Sequence, residues 1–384
     1  MTTVAHTPPS GTRHTVADDI AGVCEAARTH RAYGEEHSTL HPQVWEALRS
    51  SPLPRAALPK HCGGLEWGAP HIVEAVRVVA AADPSAGWAA AIHAPAGAFL
   101  ARLDPPLAKE LCPPSETAVA APVIGGSSVP AGTTAPAGDR MRLQGRWPLV
   151  TSAPQLTLAA LAARTEEGTR WWLVPGTELR VEDDWDAVGL RGSASHSVSC
   201  DTLVPAGHSV CLTDPARIDG ALYRFPLYGL MAACIAAVAE ATAERALEAF
   251  AALAQTARPR HATGSLAHLP AAQEHYAAAS ARLSAASAFM REAAGQAWHD
   301  AVRGQVENAA RARLRAAGAH LAATSAEVCQ SVFEAAGAAG LYRSSPLEGC
   351  WRDAAVASRH ALVAAHGRRL AGAQMLTGSA GGHL

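Results

Sequence analysis

The hydrophobic period of this chain changes twice along its length, and those changes constrain the fold more than any other feature. From Val16 to about Ala118 apolar residues recur at helical spacing, as at Ile72, Val76 and Val79. Around Thr117 the apolar runs shorten and are cut by Gly, Pro and charge. Met141, Leu143, Gly145 and Trp147 alternate as in a half-buried strand, and Thr165 to Thr169 (TEEGT) reads as a hairpin turn. This region ends at about Pro205. From Pro226 helical spacing returns in long pieces. One covers about Pro226 to Ala257, and a second starts at Pro270 with Tyr276, Leu283 and Met290 seven apart. A third carries Leu314, Leu321, Val328 and Ala335 at the same interval, and the last covers about Trp351 to Leu376.

The expected fold is therefore mainly α with a small central β domain. It comprises an N-terminal helical domain over 14–117, a middle β domain over 118–210, and a C-terminal four-helix bundle over 211–384. Local punctuation agrees. Thr15 or Asp18 can cap the first helix, Pro42 opens a short one after His41, and Asp83 caps a helix whose first residue is Pro84. The bundle faces opposite the apolar stripes are rich in Ala and Ser, which permits close packing. Apolar coverage on more than one side points to a homo-oligomer, with a homotetramer expected.

Composition excludes several classes. Hydrophobic residues make up 49% of the 384, which is enough apolar surface to offset chain entropy. Net charge is −2, so nothing asks for nucleic acid or an anionic membrane. The most apolar stretch, Leu227 to Ala239, is too short to span a bilayer and runs into Glu240. The Thr/His/Pro-rich start is not a signal peptide. Eight scattered cysteines without a C-x-x-C pair suit reduced thiols in a cytoplasmic protein. There is no nucleotide-binding glycine fingerprint and no metal-ligand spacing, so neither a nicotinamide site nor a metal is expected.

Three segments, in this order, resemble the acyl-CoA dehydrogenase superfamily: GRWPLVTSA (Gly145 to Ala153), VGLRGSASHSVSCDTLVP (Val188 to Pro205) and LYRSSPLEGCWRDA (Leu341 to Ala355). Two features resemble one branch, the oxygenase components of two-component flavin-dependent monooxygenases: DPSAGWAAAIH (Asp83 to His93) and RDAAVASRH (Arg352 to His360). No acid follows Asp353, where many acyl-CoA dehydrogenases place a catalytic glutamate; that stretch offers His360 and His366 instead.

The resemblance implies an enzyme that takes reduced FAD or FMN from a separate flavin reductase. With O₂ it would form a C4a-hydroperoxyflavin and hydroxylate or N-oxidise a small organic substrate. His93 and His360 are the implied catalytic acid or base residues, a task suited to imidazole, whose ordinary pKa is about 6.5. Thr151 is the implied hydroxyl at the flavin, with Ser152 as its substitute, and Trp147 packs either near the ring system or only in the core of the β domain. Arg260, in an R-x-x-x-G pattern with Gly264, is implied to reach the flavin pyrophosphate of a neighbouring subunit. Arg191 can orient its loop or form an ion pair, and Arg352 with Asp353 reads as structural. Two other readings stay open. An acyl-CoA dehydrogenase-like oxidoreductase would need a carboxylate base, with Glu240 and Glu244 the candidates. The other is a flavin-less binding protein or cyclase.

Overall fold

The computed structural model describes residues 15–114, 122–260 and 263–380. The expected boundary at 117/118, the N-terminal tail before Thr15 and His261 lie outside them. Seven helices come first: α1 (Val16–Asp19), α2 (Ala21–Thr29), α3 (Arg31–His37), α4 (Pro42–Ser50), α5 (Ala69–Ala82), α6 (Pro84–Ala96) and α7 (Pro105–Leu111). α1 starts with a capping box between Thr15 and Asp18. The Asp83 carboxylate accepts the Ala86 N–H at 2.7 Å and so starts α6. Every residue of α6 is buried, because it runs between α5, the sheet and the bundle. Gly87 permits this: a Cβ there would lie 2.4 Å from the Ala80 Cα in α5.

The middle region is one seven-stranded sheet. Its strands are β1 (Ile124–Ala137), β2 (Arg140–Trp147), β3 (Leu158–Thr165), β4 (Gly168–Pro175), β5 (Arg180–Glu182), β6 (Ser197–Pro205) and β7 (Ser209–Val210). Their order across the sheet is β5-β6-β2-β1-β3-β4-β7, with only β1 and β3 parallel. The TEEGT turn joins β3 to β4, pairing Thr165 with Gly168. β1 shifts register between Ser127 and Gly132. The sheet has its own core around Leu143, Trp147, Leu161 and Trp172.

The C-terminal helices are α8 (Ala221–Arg224), α9 (Leu227–Thr256), α10 (Pro270–Arg303), α11 (Asn308–Ala335), α12 (Pro346–Ala357) and α13 (Ala365–Thr377). The expectation that the apolar stretch from Leu227 is too short to span a bilayer is corrected, since α9 is long and apolar enough by length and composition; it is nevertheless the core helix, covered by the chain's own α5, α6, α11 and α12. Its all-round apolar surface therefore has an intramolecular cause. A second expectation is corrected. The stretch from Trp351 to Leu376 is two helices, not one, so Asp353 and His360 do not share a helical face. The break has no Gly or Pro. His360 makes it: its Nδ1 accepts the Leu362 N–H at 3.2 Å, and its carbonyl accepts the N–H groups of Val363 and Ala364. Leu362 and Val363 then turn into the core.

Candidate active site

Three elements converge beside α6: the turn 148–153 after β2, the loop 186–196 before β6, and the turn 358–364. In sequence they are far apart, and α6 gives each of them a partner. The Trp88 indole N–H donates to Thr151 Oγ1 at 3.0 Å. The His360 ring meets the Trp88 ring edge-on, with centroids 5.6 Å apart. Thr151 Oγ1 also shares a hydrogen bond with Ser195 Oγ (3.1 Å), which in turn pairs with Ser193 Oγ (2.9 Å). A hydroxyl oxygen accepts two hydrogen bonds and donates one. Trp88 donates to Thr151, and either Thr151 or Ser195 supplies the proton that the two hydroxyls share.

The backbone here is unusual. Leu149, Ser152, Leu190 and Ala194 all have positive φ, between 45° and 58°, a region costly for non-glycine residues. The strain is held by pairing between the two loops: the N–H groups of Val150, Ser152 and Ala153 donate to the carbonyls of His196, Ser193 and Ala194. Asp353 accepts the Leu190 N–H at 2.7 Å. Arg352 grips Glu348, Glu35 and the Val188 carbonyl, and Arg191 reaches Asp186 and Ser38. These two arginines and Asp353 therefore position the loop. Burial raises the Asp353 pKa to about 7, with the Leu190 N–H opposing it.

A narrow cleft of about 60 Å³ is lined in part by His360. Ile92, Phe99, Trp171, Tyr228 and Met231 make it apolar and aromatic, with Ser127 and Ser128 as polar groups. None of its lining residues is a carboxylate. Gly126 must be small here, since its Cβ would lie 1.9 Å from the Ala160 carbonyl oxygen. His360 is half-buried, and burial followed by the nearby Arg315 charge pushes its pKa down to about 4. It is thus neutral near pH 7. Because Nδ1 accepts from Leu362, the ring proton sits on Nε2, which makes Nε2–H a donor.

His93 has the opposite arrangement. Its Nδ1 lies 2.8 Å from the Ile124 carbonyl and must donate to it, so Nε2 carries the lone pair. That Nε2 is buried and has no partner. Burial lowers the His93 pKa to about 4. His93 borders a separate small cavity with Trp45 and Arg49, not the cleft of His360.

The other expected site residues are placed as follows. Ser152 is fully buried beside Thr151, and its Oγ has no hydrogen-bond partner. Trp147 lies in the sheet core, its N–H donating to the Ala162 carbonyl and its ring filling space left by Gly132 and Gly145. Arg260 is on an exposed turn away from these groups. Glu240 accepts from Ser287 between α9 and α10, and Glu244 pairs with Arg77 at 3.0 Å; neither lines the cleft. Trp88, Ser193 and Ser195 were inside quoted motifs without being singled out. Arg315, which is 1% exposed on α11, had no sequence signal at all.

A flavin fits this arrangement. Leu149, 64% exposed, stands beside Thr151 and the orphaned Ser152 hydroxyl, both buried, so the surface here is apolar with hydroxyls just beneath it. Comparison with known proteins points the same way. Residues 233–365 match the family described as acyl-CoA dehydrogenase, C-terminal domain. Indole-3-acetate monooxygenase of Pseudomonas putida is 28% identical over 351 residues, covering 90% of this chain and 88% of that one. The oxygenase component of an FADH₂-dependent resorcinol hydroxylase from Rhizobium sp. is 26% identical, covering 94% of each chain. In fold, XiaF from Streptomyces sp., solved with FADH₂ and glycerol, superposes with a TM-score of 0.86 at 22% identity over 94% of both chains.

Proposed function

We propose that the chain belongs to the acyl-CoA dehydrogenase superfamily and is the oxygenase component of a two-component flavin-dependent monooxygenase. One observation carries the choice within the superfamily. The cleft offers neutral imidazole and hydroxyl groups and no carboxylate, so it lacks the base that removes a proton α to a thioester carbonyl. It has what is needed to hydrogen-bond oxygen.

Reduced FAD or FMN, when bound, supplies the electrons that activate O₂. Thr151 and Ser152 hold the flavin at its hydroxyl edge, and Arg260 contacts its phosphates across a subunit boundary. Trp88 fixes Thr151. His360 donates its Nε2–H to an oxygen in the cleft, and the aromatic walls exclude water from it. His93, with its free Nε2 lone pair, serves as the proton acceptor from the adjacent cavity. Trp171, Phe99 and Tyr228 suit an aromatic substrate, and the named relatives act on indole-3-acetate and resorcinol.

The chain depends on a separate flavin reductase, works as a homotetramer and acts in the cytoplasm. Exposed Leu341, Tyr342, Met375 and Leu376 give apolar surface for self-association. All eight cysteines are free thiols, which suits a reducing compartment. The test is product formation from chemically reduced flavin and ¹⁸O₂. One ¹⁸O atom should enter the product, and NADPH with oxidised flavin should give none. Light scattering near 39.6 kDa would overturn the assembly.

A further inference from the structure

A second, larger cavity of about 710 Å³ lies outside the cleft described above. It is walled by the loop 212–219, the start of α9, the α10–α11 turn and residues 374–380, and it shares Leu212 and Tyr228 with the cleft. Those two side chains are the wall common to both spaces, which therefore adjoin.

The outer cavity is lined by four arginines. Two are neutralised: Arg217 pairs with Asp104 at 2.5 Å, and Arg224 pairs with Asp219. The other two are not. Arg102 donates only to the Ala98 carbonyl (3.1 Å), and its Nε is buried without a partner. Arg311 donates to the Val306 carbonyl at 2.9 Å. Among the described residues, neither has a carboxylate oxygen within ion-pair distance. Asp214, exposed at the rim, is the nearest acidic influence on Arg102. Behind them Arg315 donates to the Tyr228 carbonyl at 3.3 Å and likewise has no counter-ion. Arg102 and Arg315 thus lie beside Tyr228 without an ion-paired carboxylate, and Arg311, on which Glu307 acts, lines the same cavity. Burial lowers the pKa of all three, and Arg311 further lowers that of Arg102. Uncompensated cations taken from water destabilise a protein, and an oxyanion among them forms charge-assisted hydrogen bonds.

We propose that the outer cavity is the anion-binding half of the substrate site, taking a carboxylate or phosphate borne by the substrate, with Arg102 and Arg311 as its ligands. This rests on reading the cleft as the substrate site. The aromatic part lies at His360 and the anionic end lies beyond Tyr228 and Leu212.

The test is binding to flavin-free protein by titration calorimetry, with indole and indole-3-acetate as matched probes and inorganic pyrophosphate as a phosphate probe. An anionic probe should bind at least about tenfold more tightly than indole, with an advantage that shrinks as salt rises. Arg102→Gln and Arg311→Gln should each cut that advantage severalfold, and the double variant should abolish it. Their melting temperatures should be unchanged or higher, because removing an unpaired charge relieves repulsion. A preference for indole-3-acetate alone identifies a carboxylate end; arginine-dependent binding of pyrophosphate alone identifies a phosphate. Absence of both effects, or a preference indifferent to both arginines, overturns the proposal. Because no flavin or oxygen is present, a failure to oxygenate would sink the monooxygenase reading while leaving this result standing. The converse also holds.

Discussion

The seam around α6 and the α9–α11 interface use much the same small residues, yet they differ in what they leave unsatisfied. In the bundle, Ala232 faces Gly318, and Leu314, Leu321 and Val328 are almost completely buried. Its polar groups mostly return to nearby partners: Thr242 donates to the Val238 carbonyl four residues back, and Ser287 donates to Glu240. Ser325 Oγ and Arg315 Nε are exceptions. At the seam, the Ser152 hydroxyl and the His93 Nε2 lack partners, and four non-glycine residues stand at positive φ. Orphaned polar groups occur in both regions, but backbone strain concentrates where separate loops meet, and there the orphans are a hydroxyl and an imidazole suited to a ligand. The bundle holds the scaffold in place; the seam is arranged for chemistry.

The sharpest way to break this division is His360→Ala. If the seam is chemical, product formation should fall ~10²–10⁴-fold, with hydrogen peroxide released in its place and flavin affinity retained. If His360 only packs, stability should fall by ~1–3 kcal/mol with product yield per O₂ intact. The complementary change is Leu321→Ala in the bundle. It should destabilise the protein by ~2–5 kcal/mol in denaturant titrations while leaving product per O₂ unchanged. Uncoupling by this variant would show that the bundle shares in the chemistry.

The buried titratable groups give a test by pH. The His93 pKa is depressed to about 4, so the folded state binds fewer protons than the unfolded one. Its contribution is present above about pH 6.5 and is lost as pH falls toward 4, by up to ~3 kcal/mol. His93→Gln should flatten that acid limb of the melting-temperature profile. Asp353 runs the other way. Its pKa is raised to about 7, so stability declines as pH rises between about 4 and 7, and Asp353→Asn should remove the decline. The smallest expected effect is at Ser152, whose φ of 55° suits glycine. Ser152→Gly should stabilise the fold by roughly 0.5–1 kcal/mol and weaken flavin binding severalfold, measured by melting temperature and flavin titration. A loss of stability would mean that the orphaned hydroxyl has a structural partner.

Much of the fold was readable because its signals are local. Periodicity located the long helices, Asp83-Pro84 marked the start of α6, and TEEGT marked a β-turn, since each rests on residues a few positions apart. Motif order pointed to His93, His360, Thr151 and Ser152 together; the fold brings His360 and Thr151 to Trp88 and leaves His93 at a separate cavity. Local signals failed where burial decides the outcome. The stretch from Trp351 to Leu376 has helical composition throughout, and only the His360 ring bonding to Leu362, with Leu362 and Val363 drawn into the core, interrupts it. For Trp147 the motif leaves a flavin-side place and a place in the sheet core equally open, and Gly132 on the adjacent strand decides for the core. The sequence by itself determined the helix–strand–helix plan and the set of histidines and hydroxyls available for chemistry. Tertiary structure alone decided the protonation and direction of each: His93 and His360 have the same side chain, and a carbonyl against one Nδ1 and an N–H against the other put their ring protons on opposite nitrogens.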